Sequence, residues 1–261
     1  MTDTPIRWFR DGRLARLLLQ RPARHNAISA AMWGALPALC REIDADPGVA
    51  AVIVEGEGGQ AFSAGADIAE FGTVFADAGS TAQYNAAVRA GLAAVEALDR
   101  PSIALVRGLC VGGGCGLALA CDLRFAGDTA RLGITPSRLG LAYSFADTRR
   151  LVATVGPARA KDMLFSGRLL DAAEALAIGL VDRVLPDDVV ESAALDYAGG
   201  LADRSPLSLR ASKRMIEAMM AGADSDTAET AALYEAAYRS ADFREGQAAF
   251  LERRPPRFEG R

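Results

Sequence analysis

Two short runs carry no polar side chain, Ala51-Val52-Ile53-Val54 and Ile103-Ala104-Leu105-Val106, and each runs into a glycine-bearing turn. A strand this short and apolar on both sides has no face to offer water, so it belongs in the middle of a sheet covered on both faces. Between the two runs, Thr81–Leu98 has the spacing of an amphipathic helix. Asp99-Arg100-Pro101 ends it, because the residue before a proline resists helical geometry. Strand, helix and strand in this order require a right-handed crossover between parallel strands, and an α/β fold is the expectation.

The flanking segments extend that pattern. Ile6–Arg10 and Arg13–Gln20 are strand-like around Asp11-Gly12, a strong hairpin signal, after a polar lead-in at Met1–Pro5. Ser29 is placed to cap a helix that stops at Asp46-Pro47-Gly48. Cys121–Ala126 and Val181–Val184 read as further strands, and Pro157 as the first residue of a helix. Val189–Leu201, Leu207–Met220 and Asp226–Tyr238 read as helices. The break at Asp203–Pro206 divides the chain into an expected α/β core, 1–203, and a helical region, 204–261.

The 261 residues suffice for one large core, and the net charge of −4 argues against general affinity for nucleic acid or an anionic membrane. No run reaches the ~18–20 apolar residues of a membrane span, and no secretory signal is visible, so the expected location is cytoplasmic. Cys40, Cys110, Cys115 and Cys121 sit in apolar surroundings without a partner-histidine pattern, which reads as buried free thiols rather than metal ligands. His25 is the only histidine, so no Ser-His-Asp arrangement can be built around a second one, and a loop hydrogen bond is its expected role.

Ser63-Ala64-Gly65-Ala66-Asp67 and Gly112-Gly113-Gly114 are the turns with chemical potential. A thioester oxygen gains charge when the neighbouring carbon becomes a carbanion, and two backbone N–H groups aimed at it hold that charge without a charged side chain. Such a site needs small residues for close approach and a turn that opens a helix with its free N–H groups pointing outward. Leu117–Ala120 continues the second turn as an apolar helix. No Gly-Lys-Ser/Thr follows, and Leu117 stands where a dinucleotide fingerprint has its third glycine, so both phosphate-loop readings fail. The same glycines would also serve tight helix–strand packing.

A family resemblance runs along nearly the whole chain. Phe62–Ile68 and Gly108–Leu117 resemble the two signature segments of the enoyl-CoA hydratase/isomerase (crotonase) superfamily. Arg21-Pro22 with Asn26-Ala27-Ile28 is similar to its N-terminal coenzyme A segment, and Ala120–Arg124, Gly167–Gly179 and Phe250–Pro255 follow in family order. The resemblance implies a spiral of ββα turns whose C-terminal helices assemble trimers, often as a dimer of trimers. It implies that the N–H groups of Ala66 and Gly113 form the oxyanion hole and that coenzyme A enters as part of the substrate, with no metal or other cofactor. It also implies that Ala27, Asp67, Ile68 and Ala69 line the adenine–pantetheine path, that Arg24 approaches the coenzyme phosphates, and that Arg253 reaches a neighbouring subunit's coenzyme.

The chain departs from that family where hydratases place their two glutamates. Gly116 takes the first position and, in ungapped register, Pro136 takes the second. Asp147 is the nearest remaining carboxylate and is either an unorthodox base or a cap paired with Arg149 or Arg150. Thr135–Tyr143 resembles the loop of methylmalonyl-CoA decarboxylases, which carry Thr-Pro and a tyrosine at these places. Those enzymes have a histidine where Ala66 stands and keep the acid replaced by Gly116. Loss of carbon dioxide leaves an enolate directly and needs no base, so Tyr143 would orient the carboxylate or return a proton. Arg138 offers a bidentate contact to an acidic acyl group, or is a solvated surface residue. Decarboxylation of a small malonyl-type thioester is the expected reaction. Hydration or isomerisation with rearranged acid/base groups, and a silent acyl-CoA-binding protein, are the alternatives.

Overall fold

The computed structural model describes residues 5–261; all but the last residue of the Met1–Pro5 lead-in lies outside them. Strands β1 (Ile6–Asp11) and β2 (Leu14–Leu19) form the expected hairpin, with Asp11 opposite Leu14 across the turn. Helix α1 (Ala30–Ala45) follows, capped by the Ser29 hydroxyl, which accepts the Met32 N–H.

The chain then repeats a ββα unit. β3 (Ala51–Gly56) and β4 (Ala61–Ser63) lead through the short α2 (Phe71–Val74) to α3 (Ala78–Glu96). β5 (Ser102–Val106) and β6 (Leu109–Val111) lead to α4 (Gly113–Ala120). β7 (Leu123–Gly127) and β8 (Arg131–Gly133) lead to α5 (Phe145–Val155). In each repeat the first strand joins a six-stranded sheet, β1-β2-β3-β5-β7-β10, and the second joins a four-stranded sheet, β4-β6-β8-β9. Helix α6 (Pro157–Ser166), β9 (Leu170–Asp171), α7 (Ala172–Ala177) and β10 (Arg183–Leu185) complete the two sheets. Strands β2 to β10 of the larger sheet are parallel to their neighbours, and β1 is antiparallel at its edge.

Burial on both faces explains why β3 and β5 carry almost no polar residue. One face packs on α1, α3 and α4 around Trp33, Leu36, Val52, Val54 and Leu92. The other packs Ile53, Ile103, Leu105 and Phe125 under α8 (Val190–Ala202) through Val190, Ala194 and Ala198. The exception, Glu55, is buried in β3 and is neutralised by Arg16 at 2.6 Å and Arg107 at 3.5 Å. Glu191 of α8 also reaches both arginines, which clips that helix to the sheet.

Beyond Asp203 the chain is helical: α9 (Pro206–Met220), α10 (Ala228–Arg239) and α11 (Ala241–Glu252). Its first helix docks on the core. Asp122 accepts the Ser102 N–H at 2.7 Å, anchoring a turn between β5 and β7, and pairs with Lys213 of α9 at 2.9 Å. Arg214 donates to the Ala97 carbonyl at 2.7 Å and pairs with Asp99 at 2.8 Å.

Candidate active site

The two glycine-bearing turns meet at the C-terminal ends of the parallel strands. The first is pinned by its own side chains. Buried Asn26 donates to the Glu57 and Ala61 carbonyls at 2.9 and 2.8 Å, and the Ser63 hydroxyl donates to the Asn26 carbonyl at 2.8 Å. Gly65 has φ +97°, and a Cβ there would stand 2.7 Å from the Val111 carbonyl and 3.3 Å from the Gly113 nitrogen. Only glycine lets the two turns approach so closely.

That approach leaves two N–H groups free. Ala66 forms a parallel bridge with Ile28, which uses the Ile28 and Asp67 N–H groups and the Gly65 and Ile28 carbonyls. The Ala66 N–H itself therefore has no protein acceptor among the described residues. Gly113 is the first residue of α4, so its N–H has no partner within the helix. A Cβ built on Gly113 would lie 3.6 Å from the Ala66 nitrogen, which places the two donors side by side. Together with the dipole of α4, two adjacent free donors can hold one developing oxyanion.

Both open onto a cavity of about 550 Å³ whose wall includes Trp33, Leu92, Leu139, Tyr143 and Asp147. Tyr143 fills the space that a larger residue at position 116 would need. A Cβ on Gly116 would stand 2.8 Å from the Tyr143 hydroxyl oxygen. That hydroxyl is buried and finds no hydrogen-bond partner among the described residues. An unpaired buried donor costs ~1–3 kcal/mol, which a bound ligand acceptor would recover. Burial pushes the Tyr143 phenol well above its ordinary range, with Cys115 and Asp147 adding to the shift, so it stays protonated.

Asp147 reaches the cavity wall, but its carboxylate is already engaged. Ser144 caps α5 and donates its hydroxyl to Asp147, while Arg150 pairs with the other carboxylate oxygen at 2.9 Å. Arg150 also holds Glu96 of α3, which ties α5 to the cavity's opposite wall. Arg149 makes no contact with Asp147 among the ion pairs of the described residues.

The remaining sequence-predicted positions separate. Ile68 is exposed and lines the cavity. Asp67 turns inward instead: its carboxylate pairs with Arg21 at 2.7 Å and Arg24 at 3.2 Å and accepts the Ala69 N–H at 3.1 Å. The Arg21 guanidinium holds Asp67 below the ordinary carboxylate range. Arg24 is thus tethered beside the cavity with its side chain half exposed, and the Ala27 carbonyl accepts from Arg21 at 2.8 Å. His25 adopts a left-handed conformation, and its carbonyl accepts the Ala64 N–H at 2.8 Å, a backbone role in the loop. Arg253 caps the end of α11 and is not part of this cavity's wall. Arg138 is exposed and also outside the wall.

Sequence reasoning missed Trp33 and the cavity face of α3. Pro37 lies inside α1 and cannot donate to the Trp33 carbonyl four residues earlier. Gly91 of α3 packs at that spot, where a Cβ would be 2.9 Å from the Trp33 carbonyl. The pair draws α3 against α1 and sets Trp33 next to Gly113, whose Cβ would be 3.1 Å from the indole Cζ2. No group of three or more His, Cys, Asp or Glu side chains among the described residues could hold a metal ion. The four cysteines are buried and unpaired.

Comparison with known proteins agrees with this geometry. Residues 10–261 match the family described as enoyl-CoA hydratase/isomerase. The crystal structure of an enoyl-CoA hydratase/isomerase family protein from Hyphomonas neptunium superposes with a TM-score of 0.95 at 43% identity, over 98% of each chain. The 2,3-dehydroadipyl-CoA hydratase of Escherichia coli is 34% identical over 97% of each chain, and the crotonyl-CoA hydratase of Syntrophomonas wolfei is 32% identical over 95% of each. With the two signature turns apposed and the ββα spiral closed around them, this chain belongs to the enoyl-CoA hydratase/isomerase (crotonase) superfamily and has that family's acyl-CoA enzyme fold.

Proposed function

We propose that this protein works on an acyl-CoA thioester through an enolate, and that its reaction is hydration or isomerisation of an enoyl-CoA. The observation that carries the reading is the pair of free N–H groups at Ala66 and Gly113, opening on a cavity whose wall includes the Tyr143 phenol and the Asp147 carboxylate. The names of the relatives support this reaction over decarboxylation.

In this reading the thioester oxygen sits between the two N–H groups. For hydration, Asp147 takes a proton from water as the oxygen bonds to the β-carbon, and the π electrons move onto the thioester oxygen. Tyr143 then gives its proton to the α-carbon, and the proton on Asp147 returns to the phenolate. The pantetheine arm passes Ala27 and Ile68, and Arg24 meets the coenzyme phosphates. Asp67 and Ala69 shape that path from behind, through Arg21, rather than by touching ligand.

A second reading rests on a specific observation: both oxygens of the Asp147 carboxylate are already engaged, one by Ser144 and the other by Arg150. Decarboxylation of a 2-carboxyacyl-CoA needs none. The C–C bond breaks, its electron pair becomes the enolate, carbon dioxide leaves, Tyr143 protonates the α-carbon, and solvent returns a proton to the phenolate.

Mass spectrometry of the protein incubated separately with crotonyl-CoA and methylmalonyl-CoA distinguishes them. A gain of water on crotonyl-CoA is the expected result. Propionyl-CoA from methylmalonyl-CoA, with crotonyl-CoA untouched, overturns it in favour of decarboxylation. Tight binding of both thioesters with no product from a wider panel would leave a silent acyl-CoA-binding protein.

A further inference from the structure

Helix α3 presents two parallel stripes to the cavity. Tyr84, Val88 and Leu92 recur at four-residue spacing and form its deeper wall, while Thr81, Asn85 and Arg89 recur at the same spacing one position on. Arg89 is the only basic residue of that wall. Among the described residues Arg89 is exposed and has no ion pair, whereas the mostly buried Arg16, Arg21, Arg124 and Arg150 are matched with carboxylates. The only acidic residue of the wall, Asp147, is already matched by Arg150 and Ser144. The cavity therefore carries an uncompensated positive charge at its rim.

Asn85 stands beside Arg89 on the same stripe, and both side chains are exposed. A hydrocarbon acyl chain would leave the guanidinium to water alone, whereas an anionic end would meet it with an opposite charge.

We propose that the acyl group accepted by this cavity ends in a carboxylate, so that the substrate is a thioester of a dicarboxylic acid with its free end on Arg89 and Asn85. The guanidinium supplies the charge and a paired donor geometry, and the Asn85 amide a further donor on the same helix face. Arg138, the residue the sequence suggests for this task, lies outside the wall; Arg89 takes it over. The inference rests on the acyl-CoA reading of the site and names its substrate class.

The test is equilibrium binding of unreactive saturated thioesters in matched pairs, each with and without a terminal carboxylate: succinyl- against butyryl-CoA, glutaryl- against valeryl-CoA, adipyl- against hexanoyl-CoA. The expected result is a preference of about tenfold or more for the acid in at least one pair, the scale of one charge-assisted contact. Arg89→Met should bring the favoured acid to the affinity of its neutral partner, and Arg89→Lys should restore part of the difference. Equal affinity within every pair overturns the proposal. So does an equal loss for acid and neutral thioester in Arg89→Met, which would put Arg89 on the coenzyme phosphates that both share. Failure of the underlying reading looks different: none of the six thioesters would bind.

Discussion

Tyr143 and Asp147 stand on one cavity wall with opposite electrostatic histories. The phenol is buried and unpaired, so it keeps its proton and is ready to give it. The carboxylate is capped and ion-paired, so both of its oxygens are engaged in the free protein. In the hydration reading, Asp147→Asn lowers kcat on crotonyl-CoA by about 100-fold or more with little change in KM, and Tyr143→Phe lowers it by a comparable factor. Steady-state kinetics check both. If Asp147→Asn retains hydration within a few-fold, Asp147 is a cap and another group takes the proton from water. Asp67 makes a prediction about pH. Its folded pKa lies below the unfolded value of ~3.9, so its contribution to stability is complete above about pH 4 and is lost as pH falls through the folded value. Asp67→Asn should therefore cost ~1–3 kcal/mol at pH 7, because Arg21 is left without its partner, and the gap to the parent should close in acid. Urea unfolding at pH 7 and pH 3 reads both ends. The glycines of the two turns could be read from sequence because backbone approach admits so few residue types. The inward turn of Asp67 could not, because its partner Arg21 is brought to it only by the fold.

At the scale of elements, the legible parts were those with a period. β3 and β5 are apolar because both faces are covered, and α1 stops where Asp46-Pro47 predicts, whereas α3 ends at Glu96, two residues short of the expected Leu98. Helix α3 begins three residues before the expected Thr81 because Asp77 forms a capping box with Ser80. The strand expected at Cys121–Ala126 starts at Leu123, since Cys121 ends α4 and Asp122 is spent on Ser102. The strand expected at Val181–Val184 is displaced to Arg183–Leu185, where it pairs with β7. The smaller sheet was not legible at all. Its strands are two or three residues long, too short to show alternation. Helix α5 was not legible either, although Ser144 caps it, because only Asp147, Leu151 and Val155 of its eleven residues are buried, too few to show a clear apolar stripe. The contact between α1 and α3 was equally hidden, since it joins a proline and a glycine that look like flaws in separate helices. Gly91→Ala should destabilise the protein by ~1–3 kcal/mol despite alanine's better helix propensity, because the added methyl meets the Trp33 carbonyl and the Leu36 side chain. An unchanged or raised urea midpoint would show that the helices can part without cost.

For the whole molecule, the apolar surface is unevenly placed. Phe145 at the start of α5, Phe165 near the end of α6, and Phe250 and Leu251 near the end of α11 are more than 70% exposed. Exposed apolar side chains of this size mark contact regions. They support the proposal that the helical region 204–261 assembles trimers, with Arg253 offered to a neighbouring subunit's coenzyme. Sedimentation equilibrium should give three or six times the 27.4 kDa chain mass, and Phe250→Glu should shift the distribution towards monomer. A parent protein that sediments as a monomer would contradict that assembly. No helix of the described residues is long and apolar enough to cross a membrane.

The central claim is that two backbone N–H groups, from Ala66 and Gly113, polarise a thioester carbonyl, whatever reaction follows. Infrared difference spectroscopy on a bound, unreactive acyl-CoA carrying ¹³C at the carbonyl measures that polarisation directly. Gly113→Pro is the control: it removes one donor at a helix position that tolerates proline, and because its ring also meets the Trp33 indole, circular dichroism and thioester binding by the variant are verified first. The carbonyl stretch should move to lower frequency on binding to the parent protein and return most of the way towards its solution value in Gly113→Pro. An unshifted stretch in the parent, with the thioester demonstrably bound, would contradict the claim.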